Sequence, residues 1–195
     1  MDKKISEVDI KELGYMFVIP YAVLKAIIEV ECKGSGFNAD GTPAILYERH
    51  KFYEGLRNIN WITKSKEWYA KYPDLCNPAS GGYGKYSEQH GKLKRAAELN
   101  RDVALESCSW GMGQVMGYHW KALGYESLQS FINAMYKSEY EQVHAMCLYI
   151  TKFDLIKHID KLNWAGFARA YNGVAYKKNN YDVKLQAAYI KYGGK

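Results

Sequence analysis

The sequence predicts an α+β domain, mainly α with one small sheet, on three observations. Its 195 residues are 48% hydrophobic, enough for one substantial core and too few for two ordinary domains. Helix start and stop signals recur along most of the chain, with apolar residues at helical spacing between them. One stretch departs from that pattern: in "GTPAILYERH" a short apolar run, residues 44–47, follows a Gly/Pro turn and reads as a strand in a small hairpin. No repeat, linker or low-complexity tract divides residues 1–195, so they are read as a single domain.

In chain order, Ser6 caps a short helix that Gly14 ends, and a second helix covers residues 21–32. After the strand, residues 54–86 ("WYAKYPDLCNPASGGYGKY" within them) are rich in aromatics and turn formers without a sustained period, which predicts a long structured loop region. Trp61, Trp68, Tyr72 and Tyr83 there are either a binding rim or core filler beneath the loop. Helices follow at residues 87–99, 101–107 and 127–136, and another begins at Ser138. Ser138 and Glu141 have capping-box spacing, and Val143, Met146, Cys147, Ile150 and Phe153 form the apolar face. Asn163 caps "WAGFARAY", which Gly173 ends. A last helix carries Tyr181, Leu185, Ala188, Tyr189 and Tyr192 on one face, with Lys184, Lys191 and Lys195 either solvated or in weak contact with an anionic surface.

The formal charge of +6 biases the surface towards polyanions such as nucleic acid, anionic membrane or cell wall, but the basic residues are dispersed and form no dense stripe. Cys32, Cys76, Cys108 and Cys147 lie far apart, without a CxxC pair or clustered histidines. They therefore suggest neither a zinc site nor a redox dithiol, but buried thiols on helices in a reducing compartment, with a disulfide as the second reading. No cofactor or metal is expected. The apolar N-terminal segment is interrupted by Pro20 and charged at Lys25 and Glu29, and is read as neither a signal peptide nor a membrane span.

Two glutamates end the second helix, in "AIIEVECKGSGF". Residues two apart on a helix point to nearly opposite sides. Leu24, Ile27, Ile28 and Glu31 follow the spacing of a buried stripe, whereas Lys25, Glu29 and Lys33 are spaced four apart on the solvated face. A carboxyl at the edge of an apolar cluster resists ionisation and suits a general acid, and one between lysines stays ionised. The plainer alternative for Glu31 is a rim residue with its carboxyl in water.

Further along stand "SCSWGMGQVMG" (residues 107–117) and "RAYNG" (169–173). A helix-ending glutamate, then Gly-x-x-Gln, then Ala-Tyr-Asn is an order that resembles the lysozyme-like superfamily, with its goose-type lysozymes and lytic transglycosylases. Over nearly the whole chain the sequence is similar to the N-acetylmuramidase family of phage endolysins, through "EVECKGSGF", "ILYERHKFY", "ALESCSWGMGQVMGY" and "WAGFARAYNG". The resemblance implies a lysozyme-like fold and hydrolysis of the β-1,4 bond between N-acetylmuramic acid and N-acetylglucosamine in peptidoglycan. It places the catalytic acid on Glu31, Ser109 and Gln114 along the glycan cleft, and Tyr171 and Asn172 on its far wall. Cys32 departs from the serine usual after the glutamate. The resemblance also implies accumulation in the bacterial host's cytoplasm, with access to the wall once another protein opens the membrane.

On their own chemistry, Gly111, Gly113 and Gly117 let backbone approach a sugar closely or pack a tight helix start, and Gln114 offers a donor and an acceptor to an N-acetyl group. Tyr171 either orients the Glu31 carboxyl or is a core tyrosine. Glycosidases usually need a second carboxylate. Glu48, in "ILYERH", is the first candidate, and its other reading is a structural partner of His50 or Arg49. Glu106 is the second, and otherwise a last-turn helix residue. A lytic transglycosylase with the same glutamate stays open, as does a non-enzymatic basic binder of wall polymer or nucleic acid. The expected partner is the peptidoglycan glycan strand, bound by a monomer without nucleic acid and without membrane insertion.

Overall fold

Helix α2 (Tyr21–Glu31) is the element around which the core is built, because Val23, Leu24, Ala26, Ile27 and Ile28 leave little of its surface for water. Full burial of a side chain such as Leu24 or Ile27 contributes about 1.5–3 kcal/mol. The computed structural model describes residues 3–32 and 34–195. Helix α1 (Glu7–Met16) packs against α2, and α11 (Tyr181–Lys191) lies along it with Leu185 and Ala188 buried. Ser6 caps α1 in a full capping box with Asp9. Gly14 does not end that helix. It sits inside it, where a Cβ would press on the Ile19 carbonyl as the chain turns back.

The sheet has three antiparallel strands in the order β1 (Ile45–Tyr47), β2 (Cys108–Trp110), β3 (Val115–Met116). Strand β1 has no local hairpin partner; it pairs with β2, Leu46 opposite Ser109, so the hairpin is β2–β3. Ile45, Tyr47, Cys108, Trp110 and Val115 face the core. Leu46, Ser109 and Met116 share the other face, and Glu48 continues it, its backbone N–H donating to Ser107 O.

Residues 54–86 are not one long loop. Helices α3 (Arg49–Asn58) and α4 (Ile62–Lys71) take up its first half, burying Phe52, Leu56 and Trp68, and the irregular part begins after Lys71. Trp68 is core filler, stacked on Phe52, whereas Trp61 stands 42% exposed. Helices α5 (Gln89–Leu99), α6 (Arg101–Glu106) and α7 (Leu128–Lys137) follow, α7 capped by Ser127.

Helix α8 (Glu139–Lys152) buries Val143, Met146, Cys147 and Ile150, while Phe153, just past its end, is exposed. Ser138 caps it through the Glu141 N–H, but the Glu141 carboxylate pairs with Lys137. The short α9 (Ile156–Ile159) leads to α10 (Trp164–Asn172), capped by Asn163 and ended at Gly173 with φ 77°.

The four cysteines are free and buried. Only Cys147 lies on a helix: Cys32 follows α2, Cys76 is in a loop and Cys108 is on β2. Among the described residues no single helix is long and apolar enough to cross a membrane.

Candidate active site

The stripe that buries α2 carries Glu31 to its last helical position, half-buried, where Cys32 turns extended at φ −93°, ψ 99°. One Glu31 oxygen accepts a hydrogen bond from Asn172 Nδ2 at 2.8 Å. Asn172 is the last residue of α10, so the two helix ends meet carboxyl to amide. Tyr171, beside it, donates its hydroxyl to Gly113 O at 2.6 Å. Burial first, and the Glu31 charge second, hold the Tyr171 phenol well above its ordinary range, so it remains a donor. Two motifs far apart in sequence thus converge on Glu31 and on the turn between β2 and β3.

That turn contains Gln114, whose backbone is left-handed at φ 47°. A left-handed non-glycine residue is uncommon and persists where its surroundings hold it. Gln114 Oε1 accepts from Ser109 Oγ at 2.8 Å, and its Nε2 donates to Gly111 O at 2.9 Å. One N–H and one lone pair of the amide remain for a ligand. Ser109 is 5% exposed and lies behind Gln114, on the half-open face of the sheet. The motif glycines are explained by protein contacts: a Cβ on Gly111 would strike Gln142, one on Gly113 Met146, and one on Gly117 the Leu105 carbonyl.

Glu29 faces away, as its helical position predicts, but its partners differ from those expected. Lys25 pairs with Glu7 at 2.6 Å, and Lys33 lies outside the described residues. Glu29 is bonded instead by Lys191 at 2.7 Å and by the Tyr192 hydroxyl, which together, Lys191 foremost, lower its pKa.

Glu48 and Glu106 are held by other groups. Glu48 Oε2 accepts from Tyr83 at 3.2 Å and lies 3.1 Å from His50 Nδ1, although the angle there does not make a hydrogen bond. Glu106 Oε1 accepts from the Trp120 indole at 2.9 Å. Glu106 lines a cleft of about 300 Å³ with Lys51, Glu54, Asn58, Ser107 and Tyr118. The Glu48 charge acts on Lys51 and Tyr118 as well, so both glutamates flank this end of the sheet, while Glu31 is joined to the β2–β3 turn through α10.

Three residues were not anticipated. Tyr181, at the start of α11, is close enough that the Glu31 charge, after burial, raises its phenol pKa. Glu139 and Gln142 are buried polar residues in the first turn of α8, bonded to the loop after Glu31 and to the β2–β3 turn. Their signal is in the sequence: 139 and 142 continue the apolar stripe of 143, 146 and 150 back to the helix start, with polar side chains where burial is due.

The muramidase family profile, described as N-acetylmuramidase, matches residues 20–193. Among solved structures, the crystal structure of the Burkholderia AP3 phage endolysin is similar with a TM-score of 0.91 and 38% identity, over 97% of this chain and 72% of that one. No curated protein sequence matches the chain significantly.

Proposed function

Since the chain belongs to the N-acetylmuramidase family, we propose that it is an endolysin that cleaves the β-1,4 bond between N-acetylmuramic acid and N-acetylglucosamine in peptidoglycan, with Glu31 as general acid. The observation that carries this reading is the convergence at Glu31. A half-buried carboxyl at the carbonyl end of α2 is oriented by Asn172, beside a tyrosine that anchors the Gly-x-x-Gln turn. The Asn172 donor fixes the orientation of that carboxyl at the apolar rim of the helix end.

In this reading Glu31 gives its proton to the glycosidic oxygen as the bond breaks towards an oxocarbenium-like transition state. Tyr171 and Asn172 form the wall beside the acid. Gln114, set by Ser109, presents its remaining N–H and lone pair to an N-acetyl group. Glu48 is the preferred second carboxylate, on the half-open face of the sheet that also carries Ser109. Its bond to Tyr83 and Glu106's bond to Trp120 give a specific reason to keep the single-glutamate transglycosylase as the second reading.

The test is a turbidity assay on purified sacculi with Glu31→Gln and Glu29→Gln. The first should abolish lysis in a folded protein, and the second should retain most of it; near-normal lysis by Glu31→Gln would sink the assignment. Mass spectrometry of the released muropeptides separates the two readings. A reducing muramic acid end marks hydrolysis, and an anhydro end marks transglycosylation.

A further inference from the structure

We propose that Gln142 is a positioning residue for the reaction. Its side-chain amide fixes the loop leaving Glu31 against the turn that carries Gln114, and turnover depends on that amide. The inference rests on the reading of Glu31 as the acid and of the β2–β3 turn as part of the same site.

Gln142 is 1% exposed and makes one accepting and two donating bonds. Its Oε1 accepts from Met112 N at 2.9 Å, inside the β2–β3 turn. Its Nε2 donates to Gly36 O at 3.1 Å, in the loop after α2, and to Met135 O at 2.9 Å, on α7. One amide therefore ties Gly36, five residues after Glu31, to Met112, two residues before Gln114. Both are pressed onto it without a side chain between, since a Cβ on either Gly36 or Gly111 would overlap the Gln142 amide.

Glu139, one turn earlier on α8 and 5% exposed, completes the grip. It accepts from Gly36 N at 2.9 Å, from Ser35 Oγ at 3.0 Å and from Ile5 N at 3.0 Å. The Gly36 residue is thus held at its N–H by Glu139 and at its carbonyl by Gln142. One residue beyond Met112, the Gly113 carbonyl is held by Tyr171, the neighbour of the Asn172 that orients Glu31.

The chemistry selects glutamine at 142. The position needs an acceptor for a peptide N–H and donors for two carbonyls at once, which an amide supplies. An ionised carboxylate keeps the acceptor and turns its other oxygen against the Gly36 and Met135 carbonyls. A protonated carboxyl restores one donor. Methionine fills the volume with neither.

The experiment compares wild type, Gln142→Met, Gln142→Glu and Glu31→Gln, using soluble uncross-linked glycan strands as substrate. Initial rates against concentration separate kcat from KM, and urea unfolding gives the folded fraction used to normalise kcat. A displacement of the order of 1 Å in a catalytic group costs about 100-fold. Gln142→Met should therefore lose about 10–100-fold in kcat per folded molecule, with KM within about threefold of wild type. Gln142→Glu should be as impaired at about pH 7.5, and its kcat relative to wild type should rise at least about fivefold by about pH 5.5, as the buried carboxyl takes up a proton.

Three results overturn the proposal: kcat per folded molecule within twofold of wild type in both variants, a ratio for Gln142→Glu that is flat with pH, or failure of both variants to fold at every pH. Each would make the amide a matter of fold rather than turnover. Glu31→Gln reports separately on the underlying reading, because its residual rate decides whether Glu31 is the acid whatever the Gln142 variants do.

Discussion

Acidification should loosen one wall of the site through His119. The ring lies in an aromatic cluster, 4.3 Å from Tyr118, 5.2 Å from Tyr149 and 4.8 Å from Phe153, measured between centroids. Burial first, and the Lys51 charge second, lower its pKa from 6.5 to about 4. The unfolded chain therefore binds the proton more readily than the folded one between those values. The neutral ring's stability is fully present above pH 6.5 and is lost as pH falls through about 4. At pH 5 the difference amounts to about 2 kcal/mol in the buried limit, and the partly exposed edge of the ring reduces this to about 1 kcal/mol. For a chain of this length that is about 2–4 °C in Tm.

The cluster reaches the site directly. Tyr149 packs edge-on against Tyr171 at 5.6 Å, and Phe167 stacks on the same ring at 5.6 Å. The assay is urea unfolding of wild type and His119→Phe at about pH 7, 6 and 5, with lysis rates alongside. His119→Phe keeps an aromatic ring and removes the proton site, while His144, whose burial likewise lowers its pKa, is common to both proteins and cancels in the comparison. Wild type should lose about 1 kcal/mol more than the variant between about pH 7 and pH 5. Equal losses would refute the reasoning.

Tyr171→Phe leaves the Gly113 carbonyl without its donor, and should cost about 1–3 kcal/mol by urea unfolding along with a drop in lysis; an unchanged midpoint would contradict the anchoring role. Glu29, held low by Lys191 and Tyr192, contributes stability present above the ordinary carboxylate range and lost as pH falls through its lower folded value. Wild type should therefore exceed Glu29→Gln by less than about 1 kcal/mol near neutrality, and that margin should shrink as pH falls below the ordinary carboxylate range. For the second carboxylate, Glu48→Gln should slow lysis at least about 100-fold and Glu106→Gln by less than about tenfold, in a turbidity assay normalised to folded protein. The reverse order would move the role to Glu106.

How much of this was legible in the sequence depended on whether the cause was local. The caps at Ser6, Ser138 and Asn163 act within three residues, and each side chain accepts the backbone N–H three residues on, although Glu141 does not close the box that its spacing with Ser138 suggests. The orientation of α2 was equally local, since its stripe alone separates Glu31 from Glu29. Helices α3 and α4 were obscured because Ile59, Trp61, Ile62 and Tyr69 stand exposed and blur the period that Phe52, Leu56 and Trp68 carry. Strands β2 and β3 are three and two residues long, too short for alternation to register, and β1 finds its partner only across the intervening helices. The cation on Glu29 comes from Lys191, 162 residues away, which no spacing rule reaches.

The β2–β3 turn shows why the distant motifs belong together. Three consecutive residues in it are each tied to something different: Met112 N to Gln142 on α8, Gly113 O to Tyr171 on α10, and Gln114 N to Gly111 O within the turn. A left-handed glutamine is costly by itself, and these ties over-determine it. Because the same two helices also hold Gly36 in the loop after α2, through Gln142, and the Glu31 carboxyl, through Asn172, neither Glu31 nor Gln114 can shift without straining bonds that the two helices share. Motifs that look independent along the chain are thus parts of one mechanical unit. Its buried member Gln142 ties three of its segments together, the loop after α2, the β2–β3 turn and the end of α7.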